Sequence, residues 1–131
     1  MIRTPNFIVI GAQKSGTTSL FHELRSEKNI FMPKEKELHY FTTNYNKGDL
    51  WYEQQFDGKT SSQIAGEITP FYLYYEKAAE RIHRYSKKVK LIALLRNPIE
   101  RSISHYFHAR QRNFEDLNML EAFIQEEKRI R

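Results

Sequence analysis

An α/β fold, a P-loop-like doubly wound parallel sheet flanked by helices, is the class this chain predicts, on three observations. Short β-branched runs at residues 7–10, 64–69 and 89–95 alternate with stretches of helical periodicity. The run FIVI carries no polar residue at any position, as expected of a strand buried on both faces of a parallel sheet. That first strand also passes directly into a helix through a loop bracketed by Gly11 and Gly16. Glycines at both ends let backbone N–H groups converge, and the helix opening at Thr17, Thr18 and Ser19 offers unpaired donors and a positive dipole end. The loop is built to hold an anion, and phosphate suits it.

Leu20, Phe21 and Leu24 recur at helical spacing, which predicts an amphipathic helix over 17–28 with those three side chains in the core. A long connection follows, in which Pro33 bars helix and Lys34 to Glu37 alternate in sign before an aromatic cluster; charges beside rings suggest a cleft wall. Asp49 is placed to cap a short helix carrying Leu50, Trp51 and Phe56, which Asp57-Gly58 ends. Residues 64–69 form the next strand, stopped by Pro70. Tyr75, Ala78, Ala79, Ile82 and Tyr85 then mark a helix. The run 89–95, VKLIALL, is the strongest strand signal in the chain. Asn97 caps the following helix with Pro98 at its first position, and Ile99, Ile103 and Tyr106 are expected to face inward. A last helix from about Asp116 places Leu117, Leu120 and Ile124 on one side.

The chain has 131 residues, 40% hydrophobic and 28% charged, one domain's worth of globular sequence. Its net charge of +5 favours anionic partners, but the basic residues are dispersed and form no nucleic-acid surface. There are no cysteines, and none of the five histidines forms a HExxH pair, so no metal site is expected. A strand close to Met1 leaves no room for a signal peptide, and no apolar run approaches the ~20 residues of a membrane span. These features read as a cytoplasmic protein with no membrane partner.

The loop differs from Walker A (GxxxxGK[ST]): the glycines have the right separation, but Thr17 stands where the lysine belongs and the lysine is Lys14, inside the loop. ATP chemistry is disfavoured, and so is a P-loop nucleotide kinase, which also needs magnesium carboxylates. Arg96, at the end of the third predicted strand, and Ser104, two turns into the next helix, could together grip a terminal phosphate: one offers a planar fork, the other a neutral donor.

QKSGTTSL resembles the 5′-phosphosulfate loop of sulfotransferases, which use 3′-phosphoadenosine 5′-phosphosulfate (PAPS). Arg96 and Ser104 are similar to the same family's 3′-phosphate motif, an arginine followed eight residues later by a serine. KELHYF at residues 36–41 resembles the catalytic motif of the branch that contains heparan sulfate sulfotransferases and their bacterial relatives. The resemblance implies donor contacts from Gln13, Lys14, Ser15, Gly16, Thr17, Thr18, Arg96 and Ser104, and a general base at Glu37. Lys14 would stabilise the leaving phosphate, and His39 is a rival base or a substrate-positioning residue, because a nucleophilic hydroxyl or amine must lose a proton. Lys36 would contact the acceptor. GEITPFY is similar to the branch's acceptor-cleft segment and matches it at Glu67 and Tyr72, with Ile68 where glycan-sulfating members often carry lysine. The family's domain is about twice this long, so residues 1–131 would be the N-terminal portion of a single sulfotransferase-type α/β domain, the C-terminal half being absent. The expected partners are PAPS as donor co-substrate with no metal, and a hydroxyl- or amine-bearing acceptor such as a glycan. A second copy of the chain is a further expected partner. The competing readings are the nucleotide kinase and a non-catalytic fragment that binds adenosine phosphates.

Overall fold

A computed structural model describes residues 4–129, which divide into two compact units, one ending at Leu95 and one starting at Arg96. The first unit holds a four-stranded sheet: β1 (Phe7–Gly11), β2 (Ile30–Phe31), β3 (Ile64–Ile68) and β4 (Lys90–Ala93). The strands run parallel in the order β2-β3-β1-β4, with Phe7 opposite Gly66 on one side and Lys90 on the other. β1 is interior because none of its side chains needs water: Ile8 and Val9 are fully buried. β2 is absent from the sequence reading, since two residues pairing Ile30 with Ile64 and Phe31 with Ala65 give no periodic signal. The run 89–95 yields the expected strand, but at the sheet edge, with Leu91 and Ile92 exposed.

The period-two alternation of β1 divides the core. Phe7 and Val9 pack with Phe21, Leu20 and Leu24 of α1 (Thr17–Ser26), together with Met32 and Ile68. Ile8 packs on the opposite side with Leu38, Tyr40, Phe41, Tyr52, Phe56 and Tyr72. That second cluster also takes Ala78 and Ile82 from α3 (Glu76–Tyr85). The aromatic cluster expected to wall a cleft is therefore core: Tyr40 and Tyr52 stack with ring centroids 4.4 Å apart, and Phe41 meets Tyr52 edge-on at 5.2 Å. Asp49 lies in the first turn of α2 (Gly48–Gln54) but does not cap it; it accepts a hydrogen bond from the Tyr40 hydroxyl.

The second unit begins with α4 (Pro98–Gln111), capped as its sequence predicts, the Asn97 carboxamide accepting from the N–H groups of Ile99 and Glu100. The inward-facing row expected along it is not realised. Ile99 and Ile103 are exposed, Tyr106 is half-buried, and α4 has no buried residue among those described. α5 (Met119–Arg129) starts three residues later than expected, where Asn118 accepts from the Glu121 N–H. Ala122 is its one buried residue among those described, while Leu120 and Ile124 are exposed.

Candidate active site

All four strands are parallel, so the segments that leave their carboxyl ends gather along one edge of the sheet, with the switch in strand order at β1. The loop after β1 is held to β4 by Ala12 N–H donating to the Leu94 carbonyl at 2.8 Å. Its chain then passes through Lys14, at φ 65°, and Gly16, at φ 90°. Left-handed geometry costs lysine about 1 kcal/mol, a strain typical of ligand-binding loops, whereas glycine adopts it freely. α1 begins at Thr17 with no side chain capping its first N–H groups. The buried hydroxyl oxygen of Ser15 has no hydrogen-bond partner within the protein. Uncapped helical donors and an orphaned hydroxyl on one turn suit an anion bearing several oxygens. Thr17 is buried and Thr18 exposed, while Gln13 and Lys14 are half-buried.

The segment after β2 carries Lys36, Glu37 and His39. Glu37 lies between two bases: Lys36 Nζ is 3.5 Å from its Oε1, and His39 Nε2 is 3.1 Å from its Oε2. Lys36 Nζ also donates to the Thr18 hydroxyl of α1 at 3.4 Å. Lys36, expected to contact the acceptor, thus stands between the carboxylate and the anion loop. His39 Nδ1 lies 3.2 Å from the Thr42 hydroxyl, so the imidazole is oriented from both ring nitrogens.

Among the described residues no strand pairs with this segment, and side chains satisfy its backbone. Asn44 donates to the Leu38 carbonyl at 2.8 Å, and Arg81 of α3 donates to the carbonyls of Phe41 and Thr42 at 3.0 and 2.9 Å. The Arg81 guanidinium lies 4.1 Å from the Tyr45 ring centroid, which fixes its plane. The N–H groups of His39 and Phe41 donate to the hydroxyls of Thr69 and Tyr72.

Glu67 and Tyr72, expected to line the acceptor cleft, lie in the interior. Glu67 is 1% exposed, and its carboxylate accepts from Tyr52 at 2.8 Å, Thr69 at 2.9 Å and Tyr72 at 3.0 Å. Burial raises its pKa to about 7; the three hydroxyl donors oppose that rise and the charge of Glu37 adds to it. Burial likewise pushes the Tyr52 and Tyr72 hydroxyls well above their ordinary range. The roles of Tyr52, Thr69 and Arg81 are missing from the sequence reading. A lone carboxylate in the strand Ile64–Ile68 was the available signal, because an acid on a buried strand face requires donors from somewhere.

Arg96 and Ser104 belong to the second unit. Arg96 Nε lies 3.3 Å from the Glu100 carboxylate one turn along, and Ser104 is half-buried on α4. Among the described residues, no group of three or more His, Cys, Asp or Glu side chains is placed to share a metal ion.

Residues 4–130 match the family described as the sulfotransferase domain. The chain is 45% identical over 105 residues to the membrane-associated sulfotransferase kil1 of Dictyostelium discoideum, a match covering 78% of this chain and 22% of that protein. It is 36% identical over 104 residues to human heparan sulfate glucosamine 3-O-sulfotransferase 6, covering 79% of this chain and 30% of the relative. In structure it superposes on a sulfotransferase from Alicyclobacillus acidocaldarius with a TM-score of 0.85 and 32% identity, over 97% of this chain and 58% of the other. The chain thus spans under a third of the length of these two curated relatives. Among the described residues, no helix is long and apolar enough to cross a membrane.

Proposed function

We propose a function from one premise: the chain belongs to the sulfotransferase domain family. The reading is sulfuryl transfer from PAPS to a hydroxyl or amine, with Glu37 as general base. The observation that carries it is the bridge made by Lys36, whose ammonium reaches both the Glu37 carboxylate and the Thr18 hydroxyl at the head of the anion loop. A base and a phosphate-holding turn joined by one side chain are what an in-line transfer needs, since the nucleophile and the leaving group must lie on opposite sides of one sulfur.

PAPS supplies an activated sulfuryl group on a phosphate leaving group. The uncapped N–H groups of α1, with Ser15, Gly16, Thr17 and Thr18, would hold its 5′-phosphosulfate, and Gln13 would flank it. Arg96 and Ser104 would take the 3′-phosphate. Glu37 accepts the acceptor's proton as the nucleophile forms its bond to sulfur, and His39 fixes the carboxylate that does so. Lys14 donates to the bridging oxygen as the sulfur–oxygen bond to phosphate breaks, so 3′-phosphoadenosine 5′-phosphate departs with its charge compensated. The glycan named for the human relative makes a carbohydrate hydroxyl the first acceptor class to try. Ile68 is buried against Phe7, Val9 and Phe21, so it contributes nothing to the charge an acceptor meets. The cysteine-free chain suits a reducing compartment such as the cytoplasm.

The deciding experiment is calorimetric titration with 3′-phosphoadenosine 5′-phosphate beside magnesium ATP, followed by turnover with PAPS. Binding of the adenosine bisphosphate alone is expected. Lys14→Ala should then lower kcat about a hundredfold, the loss typical when one leaving-group donor is removed. Wild-type turnover in that variant, or binding of ATP alone, would overturn the assignment.

A further inference from the structure

Glu67 is a fully buried carboxyl that the transfer described above leaves without a task. Its surroundings are directional. The Thr69 hydroxyl has one proton, which points to Glu67 Oε2 at 2.9 Å, so its oxygen is left to accept from the His39 N–H at 3.4 Å. The Tyr72 hydroxyl is used the same way, donating to Glu67 Oε1 at 3.0 Å and accepting from the Phe41 N–H at 3.3 Å. Tyr52 donates the third hydrogen bond, at 2.8 Å. An acceptor-only group therefore sets the direction of two hydroxyls, and those hydroxyls hold two amides of the segment bearing Glu37. One of these amides belongs to His39, which sits at φ 50° and whose ring meets Glu37 Oε2 at 3.1 Å. A non-glycine residue in that conformation needs external restraint.

We propose that Glu67 is a positioning residue for Glu37: its carboxylate turns the Thr69 and Tyr72 hydroxyls so that their oxygens hold the His39 and Phe41 amides, fixing the bend from which the Glu37–His39 pair projects. This rests on the sulfuryl-transfer reading only in treating Glu37 as the group that matters. Replacement of Glu67 by glutamine keeps the shape but adds two donor hydrogens, one of which competes for a hydroxyl oxygen. Protonation of Glu67 adds one such hydrogen, which competes in the same way. The titratable groups facing Glu67 are Tyr52 from α2, Tyr72 from the turn after β3, Tyr85 from α3 and Glu37 itself; burial keeps all three tyrosines neutral through pH 8.

The test is amide hydrogen exchange and nitrogen–proton NMR of the chain between pH 5 and 8, in the wild type, Glu67→Gln, Thr69→Val and Thr69→Ser. In Glu67→Gln the His39 and Phe41 amides should exchange about tenfold faster while the β1 amides keep their protection, the effect expected when one hydrogen bond is lost. Thr69→Val should release His39, and Thr69→Ser, which retains the hydroxyl, should restore it. The wild-type Phe41 amide should show a pH step that disappears in Glu67→Gln. Wild-type exchange at His39 in Thr69→Val with β1 protected would overturn the proposal; that variant decides alone if Glu67→Gln does not fold. If the wild type fails to bind 3′-phosphoadenosine 5′-phosphate, the transferase reading falls, and the amide result still decides whether Glu67 holds the segment.

Discussion

An acid in the middle of Ile64–Ile68 is costly to bury, and the cost depends on pH. Raised from an ordinary 4.5 to about 7, the Glu67 carboxyl holds its proton more tightly in the fold than in the unfolded chain. Its contribution therefore favours the native state at low pH and is lost as pH rises from 4.5 to 7. Between pH 5 and 8 the wild type should lose about 2–3 kcal/mol relative to Glu67→Gln, measured by urea unfolding of both chains. A gap between them that does not change with pH would contradict the burial argument. At this scale the sequence was legible where chemistry is local. Asn97 and Pro98 announce a helix start because cap and first turn are neighbours. The burial of Glu67 is not legible in the sequence, because its donors come from Tyr52, Thr69 and Tyr72, and only folding brings α2 against β3.

Elements were legible in proportion to their period. β1, α1 and α3 follow from three or more apolar repeats each, whereas β2 has two residues and is defined by pairing with β3 alone. The register of β1 against β3 depends on a single missing methyl group. A Cβ at Gly66 would lie 2.1 to 2.5 Å from three ring atoms of Phe7, the residue directly opposite. Gly66→Ala should thus cost about 3 kcal/mol through overpacking, and Phe7→Leu in the same chain should recover part of the loss. Thermal or urea unfolding of the two single variants and the double variant measures this coupling; strict additivity would mean that the ring moves aside at no cost. The aromatic cluster teaches the opposite lesson about pattern. Tyr40, Phe41, Tyr52 and Phe56 are too irregularly spaced to read as a core face, yet all four are buried because they come from a connection and a short helix folded onto β1.

For the whole molecule, the sheet edge at β4 is the feature with a measurable outcome. One side of β4 pairs with β1, no strand of residues 4–129 takes its other side, and Leu91, Ile92 and Leu95 are exposed along and beyond it. Sedimentation velocity should show association that grows with concentration, and Leu91→Lys should weaken it; a monomer at every concentration would contradict this. The run 89–95 announces a strand, of which residues 90–93 form β4, but periodicity carries no information on whether a neighbour arrives. The segment bearing Glu37 shows a different economy. Its backbone is tethered by Asn44, Thr69, Tyr72 and Arg81 rather than by a strand ladder, while Lys34 and Glu35 just before it remain exposed. Evolution can therefore rewrite positions 34 and 35 without disturbing the sheet, so that such a scaffold diversifies at its rim while its foldability is inherited unchanged.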